Sequence, residues 1–478
     1  MSDTQSLATR TVRGLFWTGS AFALQIATTL VFYRLLGAER MGGFEWALLL
    51  VMLAALLCDL GLGSALVQDR EAGDEHFDAA FWTCLAFGSA VTFLVLALAP
   101  SLAGWLSREE TRDFESILSR LVLLVPFASV SGVFRARLQR DLRWRAMAAA
   151  EIAASFAHAA LSFSLLAAGL GVMSVVYGAL AREVVLLAGL AVAARWLPRP
   201  ALRLQALRRI ALFGLNLTGS RCLQYLGSNL PRLFIYPLLG EAAMGHFSFA
   251  YRLTLLPLVR VSTILTRVFF PTFSAIQENT DLLRRAYLRS VGAMALGYWP
   301  VLAGLALLAE PVVTLTRPDM APAVWPLRLL ALATLVKAAG TGVGSVFLAR
   351  GRASWALYWS LFTLVVLVPS LYGSVDYGVA GVSGALAVTA VLFLVLSQHL
   401  ANRLLEMGFA DYLAVLWRPA LVAASVALAL GMTSPWRPEA PLAACAAGGL
   451  LAALGGLAGA RLFAWNELMG LWRSARGE

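Results

Sequence analysis

Runs of about twenty apolar residues, each bounded by a short polar connection, recur along the whole chain. About fourteen such runs lie between Gly14 and Leu462, and each is long enough to cross the hydrocarbon core of a bilayer as a helix. The composition agrees, because 60% of the 478 residues are hydrophobic and only 14% are charged, whereas soluble domains contain about 25% charged residues. The sequence therefore predicts an all-α integral membrane protein with about fourteen transmembrane helices.

The net charge of +11 comes mainly from arginines in the short loops between these spans. With a cytoplasmic N-terminus, the inner loops include the clusters Arg135–Arg145 and Arg195–Arg209 and outnumber the outer loops in arginine by roughly three to one. This bias predicts that both termini are cytoplasmic, and it gives no sign of a nucleic-acid-binding domain. No connection is long enough for a catalytic domain, so we expect no enzyme. The cysteines lack paired spacing, so no disulfide or metal site is indicated.

One twelve-residue motif occurs twice in the chain. The stretch Leu36–Ala47 returns as Leu239–Ala250, about 203 residues and six spans later. An even number of helices gives both copies the same orientation, and parallel repeats of this kind are related by an axis along the membrane normal. The repeat predicts two six-helix lobes related by a pseudo-two-fold axis, plus two C-terminal helices. The predicted boundaries are 1–200, 201–405 and 406–478.

Two consecutive spans, Ile210–Leu239 and Met244–Phe270, are hinged at Gly240 and carry five arginines. A guanidinium at the middle of a membrane helix costs about 2.5–3.5 kcal/mol on the insertion scale, so such residues usually face a protein interior or a watery cavity. Two polar stripes on neighbouring helices predict one basic cavity. At 100° per residue, the stripes consist of Arg221, Tyr225, Ser228, Asn229 and Arg232 on the first span and Arg252, Arg260 and Arg267 on the second.

The repeat extends the predicted cavity to the first span. A shift of 203 residues pairs Gln25 with Ser228 and Thr29 with Arg232, so an uncharged polar stripe would face the basic one. Lys337, the single lysine, lies deep in the tenth span and is assigned to the same surface. The predicted substrate-binding residues are Arg221, Arg232, Arg252, Arg260, Gln25, Thr29, Asn229 and Lys337.

Other interpretations of these arginines stay open. Arg252 and Arg267 lie near helix ends, where a guanidinium can extend to the lipid headgroups. Arg221 and Arg260 lie too deep for this, and their alternative is a structural pair with a helix carboxylate.

Three carboxylates in or near the spans are candidates for a coupling proton, namely Asp59, Glu151 and Glu183. Asp59 lies near the inner end of its span, which favours a role at a helix terminus. Glu183 directly follows Arg182, and adjacent helix positions do not face each other, so we expect no ion pair between these two.

Several motifs resemble the Wzx-type polysaccharide flippases of the multidrug/oligosaccharidyl-lipid/polysaccharide exporter superfamily. The resemblance extends through about Leu405 and rests on Arg34–Gly37, Asp59–Gln68, Leu138–Arg145, Pro300–Leu305 and Trp325–Leu332. One departure concerns Asn229, which is followed by Leu-Pro-Arg where the family commonly has an aspartate.

The resemblance implies alternating access through a central cavity, in a multi-pass protein of the bacterial inner membrane. It implies a substrate of undecaprenyl diphosphate carrying a sugar repeat unit, which moves from the cytoplasmic to the periplasmic leaflet for exopolysaccharide, capsule or lipopolysaccharide O-antigen synthesis. Membrane lipid, a polysaccharide polymerase and export machinery are the expected partners. No cofactor is expected, and a proton or sodium gradient is the candidate energy source.

Two alternatives stay open, one within transport and one from another functional class. A multidrug or cation exporter of the same superfamily would need an acidic or apolar cavity, whereas the charges of the seventh and eighth spans are arginines. A membrane glycosyltransferase or ligase that uses lipid-linked sugars would need acidic residues beside a sizeable outer loop, and the sequence contains no such loop.

Overall fold

A computed structural model shows an entirely helical chain wherever it describes regular structure. It describes the backbone of residues 2–69, 71–106, 112–200, 204–255, 258, 273, 276–350, 352–432 and 441–461, and most of the side chains in these ranges from residue 27 onward. All regular secondary structure in these ranges is α, 3-10 or π helix. The predicted all-α membrane fold is confirmed.

The first half of the chain folds into seven helical segments. They are α1 (Ser2–Cys58), α2 (Leu62–Gln68), α3 (Asp74–Leu106), α4 (Arg112–Leu121), α5 (Leu124–Arg140), α6 (Trp144–Ala167) and α7 (Met173–Ala194). α1 contains the first two predicted spans and α2 completes the second. α4 and α5 together form the fourth, because only two residues separate them.

The second half begins with α8 (Leu204–Leu239) and α9 (residues 241–255). α9 begins the predicted span Met244–Phe270, and most of the rest of that span lies outside the described residues. The later helices are α10 (Thr280–Leu307), α11 (Ala309–Thr314), α12 (Val324–Ala339), α13 (Val343–Ala349), α14 (Ala353–Ser374), α15 (Gly378–Leu405), α16 (Phe409–Met432) and α17 (Pro441–Gly459), with 3-10 turns at Pro318–Ala323 and Val375–Tyr377.

Nine helical stretches within the described residues are long and apolar enough to cross a membrane. Two of them, Ala27–Cys58 and Tyr358–Leu405, each overlap two predicted spans, and α8, α9 and α17 supply three more. The helices therefore agree with the prediction of fourteen spans.

Two glycines interrupt the helices at equivalent places in the repeated motif. Gly37 bends α1 with a φ of 83°, and Gly240 separates α8 from α9 with a φ of 89°. Side chains disfavour positive φ, so glycine is the residue that adopts it at little cost. The predicted hinge at Gly240 is confirmed, and the backbone breaks in the same way in both copies.

The two copies also contact each other reciprocally through a second pair of glycines. A Cβ on Gly42 would lie 1.9 Å from the carbonyl oxygen of Glu241, and a Cβ on Gly245 would lie 1.9 Å from that of Ala38. The 203-residue shift converts each of these contacts into the other. Such mutual contacts are the mark of a two-fold relationship, so the repeat has local two-fold character at this crossing.

The chain forms two compact units. The continuous unit is Ala38–Gly245, and the composite unit joins Met1–Gly37 to His246–Glu478. The helix before Gly37 therefore belongs with the second half of the chain, whereas α8 belongs with the first half. The predicted lobes, 1–200 and 201–405, follow the repeat rather than this grouping, and they stay a prediction.

Each unit has its own apolar core. In the continuous unit, α2, α3 and α5 pack around Leu66, Val133 and Phe134. In the composite unit, α10, α12, α15 and α16 pack together, and the buried hydroxyl of Tyr287 donates a hydrogen bond to Oε1 of Gln398 over 2.6 Å.

Candidate functional site

The Asp59–Gln68 motif forms a sharp turn between α1 and α2. Leu60 and Gly61 both have positive φ, 49° and 64°, which ends one helix and allows the next to start in a new direction. A Cβ on Gly61 would lie 2.3 Å from the carbonyl oxygen of Gly214 in α8, so the close approach depends on glycine. The turn therefore brings the carboxylate of Asp59 next to α8.

α5 approaches the same turn from another direction. A Cβ on Gly63 would lie 2.9 Å from the carbonyl oxygen of Gly132, and a Cβ on Gly132 would lie 2.4 Å from Oδ1 of Asp59. Because neither glycine has a side chain, there is room between the helices for the carboxylate of Asp59. Oδ1 is buried and accepts no hydrogen bond from the described residues.

Arg221 of α8 provides the counter-charge to this carboxylate. Its Nη1 lies 3.4 Å from Oδ2 of Asp59, and its Nη2 donates a hydrogen bond to Oγ of Ser64 over 2.6 Å. The Arg221 side chain is 39% exposed and that of Asp59 is 19% exposed. The pair is thus only partly buried, and part of the guanidinium surface stays accessible.

A second ion pair joins α5 to α6. Nη2 of Arg135 lies 3.7 Å from Oε1 of Glu151 in α6. Both side chains are partly exposed, at 38% and 48%. Glu151 therefore has a counter-charge on α5, as Asp59 has one on α8.

The polar stripe predicted on α8 continues beyond Arg221. The hydroxyl of Tyr225 donates to the carbonyl of Leu49 over 2.9 Å, and Nδ2 of Asn229 donates to the carbonyl of Tyr225 over 2.9 Å. Nη1 of Arg232 donates to Oδ1 of Asn229 over 3.3 Å. These contacts connect Tyr225, Asn229 and Arg232 along the predicted face of one helix.

The remaining predicted cavity residues belong to the composite unit. Thr29 is buried, Arg252 is half-buried and Lys337 is exposed. The side chain of Gln25 and all of Arg260 lie outside the described residues. The assignment of all eight residues to one cavity stays a prediction.

One expectation about charge pairing is wrong. Nη1 of Arg182 contacts Oε1 of Glu183, although adjacent helix positions do not face each other. The arginine side chain is long enough to fold along the helix surface, and the buried position of Glu183 favours a counter-charge. Glu183 therefore has a local partner of its own.

Sequence reasoning did not select Ser64 or Arg135 as site residues. Ser64 lies within the Asp59–Gln68 motif, one of the motifs that carry the family resemblance. Its partner Arg221 is 157 residues away, so the motif does not indicate the contact. Arg135 counted only as evidence for topology, because a basic residue at a helix end is ordinarily a headgroup contact.

Comparison with known proteins identifies the family. The sequence model described as "Polysaccharide biosynthesis protein" matches residues 31–317, which is more than half of the chain. The chain belongs to this family. Membership agrees with the resemblance found in the sequence motifs.

Several curated relatives align with most of the length of this chain. The teichuronic acid biosynthesis protein TuaB of Bacillus subtilis is 25% identical, over 78% of this chain and 78% of its own. The lipopolysaccharide biosynthesis protein WzxC of Escherichia coli is 24% identical, over 87% and 85%. The succinoglycan biosynthesis transport protein ExoT of Rhizobium meliloti is 26% identical, over 74% and 72%.

Solved structures show the same fold. The lipid II flippase MurJ in an inward closed conformation is similar with a TM-score of 0.73 and 14% identity, over 95% of this chain and 98% of that one. An inward-facing multidrug resistance MATE family transporter is similar with a TM-score of 0.62 and 19% identity, over 81% and 95%. With its family, this multi-pass membrane protein therefore belongs among transport proteins and not among enzymes.

Proposed function

We propose that this protein is a flippase that moves an undecaprenyl-diphosphate-linked oligosaccharide repeat unit from the cytoplasmic to the periplasmic leaflet by alternating access. The relatives' names refer to teichuronic acid, lipopolysaccharide and succinoglycan, which supports a glycan as cargo. The fold shared with a lipid II flippase supports a cargo attached to a lipid.

The single observation that carries this proposal is the polar, arginine-bearing face of α8. A diphosphate that leaves water and headgroups must exchange its hydration for other hydrogen bonds. Guanidinium groups supply bidentate, charge-assisted hydrogen bonds, and Arg221 keeps an accessible face. The polyprenyl tail can stay in lipid while Arg221 and Arg232 form hydrogen bonds with the diphosphate.

Asp59 would then keep the guanidinium of Arg221 in position between transport cycles. The 3.4 Å separation of their charged atoms exceeds the roughly 2.7–2.9 Å of a strong charge-assisted hydrogen bond. A diphosphate with several oxygens competes well against such a pair. The cargo displaces Asp59 from Arg221 on binding, and Asp59 recovers the arginine on release.

The direction of transport requires an energy source and an orientation. We propose a proton or sodium gradient as the source, with Asp59 and Glu151 as the carboxylates available for coupling. The positive-inside bias supports an inner-membrane protein with both termini in the cytoplasm. The exported unit would then reach a polysaccharide polymerase and export machinery at the periplasmic face.

The proposal is tested by flipping of a fluorescent undecaprenyl-diphosphate-linked sugar in proteoliposomes. Loss of one charge-assisted hydrogen bond of about 1.5–3 kcal/mol weakens binding roughly ten- to hundredfold, so Arg221→Ala should flip poorly. Arg221→Lys keeps the charge without the planar fork and should retain part of the activity. Arg182→Ala is the matched control, because Arg182 is a similarly exposed arginine with a neighbouring carboxylate.

A correctly folded Arg221→Ala protein that flips at the wild-type rate would overturn the proposal. The shared MATE fold makes a multidrug exporter the second candidate. The same proteoliposomes loaded with a cationic dye distinguish the two, because the exporter would move the dye and leave the lipid-linked sugar in place.

A further inference from the structure

The exposed surface of α8 has an apolar side and a polar side. Leu215 and Leu223 are 55% and 61% exposed, and their spacing places them on one side of the helix, as expected for a surface in lipid. Ser220, Gln224 and Ser228 are also exposed. They follow one another at intervals of four residues, about 140° around the helix from the two leucines. These three residues form a serine-glutamine strip that is separate from the apolar surface.

The centre of the serine-glutamine strip lies at the middle of a membrane span. Gln224 is the fifteenth residue of the predicted thirty-residue span Ile210–Leu239. An amide that enters hydrocarbon without hydrogen bonds loses the free energy of its hydration, so exposed polar groups at this depth face a water-filled space. The strip therefore borders water and not lipid.

The amide of Gln224 and the hydroxyl of Ser220 are available to a ligand. Neither is hydrogen-bonded to the part of the chain that the structure describes. Other polar side chains within spans differ in this respect. The exposed Ser155 and Ser164 of α6 each donate to the carbonyl four residues earlier over 2.8 Å, and the buried Gln398 of α15 uses both ends of its amide in hydrogen bonds. Gln224 and Ser220 thus keep their donors and acceptors open to the water-filled space.

Arg221 adjoins the serine-glutamine strip on the same helix. It follows Ser220 directly and precedes Gln224 by three residues, which is about 4.5 Å along the helix axis and about 60° around it. Its guanidinium contacts Asp59 and Ser64, while 39% of the side chain stays exposed. All of these residues belong to the continuous unit. A ligand bound at Arg221 therefore has its neighbouring group within reach of Gln224.

The hydrogen-bonding groups of the strip suit a different part of a ligand than the guanidinium does. A guanidinium is charged and only donates hydrogen bonds, which fits phosphate oxygens. A primary amide is neutral and offers two donors and one acceptor, and a serine hydroxyl both donates and accepts. The oxygens of a diphosphate cannot donate to the amide oxygen, whereas a sugar hydroxyl can donate and accept. The strip therefore fits the hydroxyl groups of a sugar.

We propose that Gln224 and Ser220 form a sugar subsite beside Arg221. With the diphosphate at Arg221, the first sugar of the glycan lies against the strip and exchanges hydrogen bonds with the amide of Gln224. Arg221 then binds the part that all diphosphate-linked lipids share, and Gln224 binds the part that differs between glycans. This inference rests on the proposed function of diphosphate-linked cargo.

Binding of lipids to the purified protein in nanodiscs tests this subsite. The probes are undecaprenyl diphosphate alone and undecaprenyl diphosphate carrying one glucose or one galactose. The measured quantity is the gain in affinity that the sugar supplies, and the wild type should show a gain for at least one sugar. A neutral hydrogen bond changes affinity roughly two- to tenfold, so Gln224→Leu should lower the gain by this factor. Gln224→Asn keeps the amide on a shorter side chain and should retain part of the gain.

The binding of undecaprenyl diphosphate alone is the internal control for folding, and Gln224→Leu should leave it unchanged. Leu223→Ala is the matched control variant, because Leu223 is the neighbouring exposed residue on the apolar side of α8. It should bind all three lipids as the wild type does. Arg221→Ala should weaken the binding of all three by one common factor.

Three results would overturn the sugar subsite while leaving the proposed function intact. They are a Gln224→Leu protein that keeps the full gain, a Gln224→Leu protein that binds all three lipids more weakly by one factor, and a wild type that shows no gain for either sugar. A wild-type protein that binds none of the three lipids would instead refute the proposed function.

Discussion

Gly42 and Gly245 occupy the same position in the two copies of one motif, and each rests against the backbone of the other copy. Each contact places a would-be Cβ 1.9 Å from a carbonyl oxygen, so the crossing accepts no side chain at either residue. The residues whose carbonyl oxygens make these contacts, Ala38 and Glu241, are themselves related by the repeat. The continuous unit therefore begins and ends at one tightly packed crossing.

The first prediction concerns this crossing. Gly42→Ala or Gly245→Ala must separate two backbones, and overpacking costs about 1–3 kcal/mol or more. We expect a lower melting temperature in detergent and less protein in the membrane for either variant. Gly219→Ala in α8 is the control, because a Cβ there would meet nothing within 4 Å. Variants at the crossing as stable as this control would disprove the close contact.

The second prediction concerns the bend at Gly37. Its φ of 83° and ψ of 174° fall in a region that is essentially restricted to glycine, at a cost of about 1–3 kcal/mol for other residues. Gly37→Ala and Gly37→Asn should destabilise the protein equally, because asparagine eases only the left-handed helical region. Melting temperatures of the purified variants measure this cost.

A control separates backbone strain from a steric clash at the same residue. A Cβ on Gly37 would lie 2.9 Å from Oδ2 of Asp319, at the movable end of a side chain. Removing that carboxylate with Asp319→Ala should not rescue Gly37→Ala. Full rescue would mean that crowding, and not conformation, requires the glycine.

The third prediction is that Asp59 and Arg221 stabilise the fold jointly. Residues in direct contact show coupling energies of about 0.5–3 kcal/mol in double-mutant cycles, and partial exposure of this pair favours the lower end. Asp59→Ala and Arg221→Ala should therefore be less than additive in thermal unfolding. The pair Asp59→Ala with Arg182→Ala should be additive, and equal behaviour of both cycles would argue against the ion pair.

The order of the spans was readable from the sequence, but their grouping was not. Apolar periodicity locates a helix, and the motif repeat identifies Gly37 and Gly240 as equivalent positions. Neither signal says which helices pack together, so the association of the first helix with the composite unit was not foreseen.

The sequence also does not predict the partners of the charged residues. The deep arginines stand out because charge is rare in apolar spans, and a structural pair with a helix carboxylate is an alternative that the sequence leaves open for Arg221. The partner itself is Asp59, 162 residues away, and the contact depends on glycines that let α2, α5 and α8 approach. Sequence spacing carries no information on such distant contacts.

The fourth prediction concerns orientation. The arginine bias predicts cytoplasmic termini at both ends, so a C-terminal green fluorescent protein fusion should fluoresce and a C-terminal alkaline phosphatase fusion should be inactive. Fusions in the connection after α3, which would be outer, should behave oppositely. An active phosphatase at the C-terminus would require an odd number of spans or the reverse insertion.

Exchange of the first helix between the units has a consequence for the origin and the dissection of this chain. A chain of residues 1–200 would contain one helix, the part of α1 before Gly37, that belongs with the composite unit. It would lack α8, which belongs with the continuous unit. Such a half-length chain could complete its packing only by trading its first helix with a second copy. The repeat thus has the logic of a domain-swapped dimer whose two subunits have become one polypeptide.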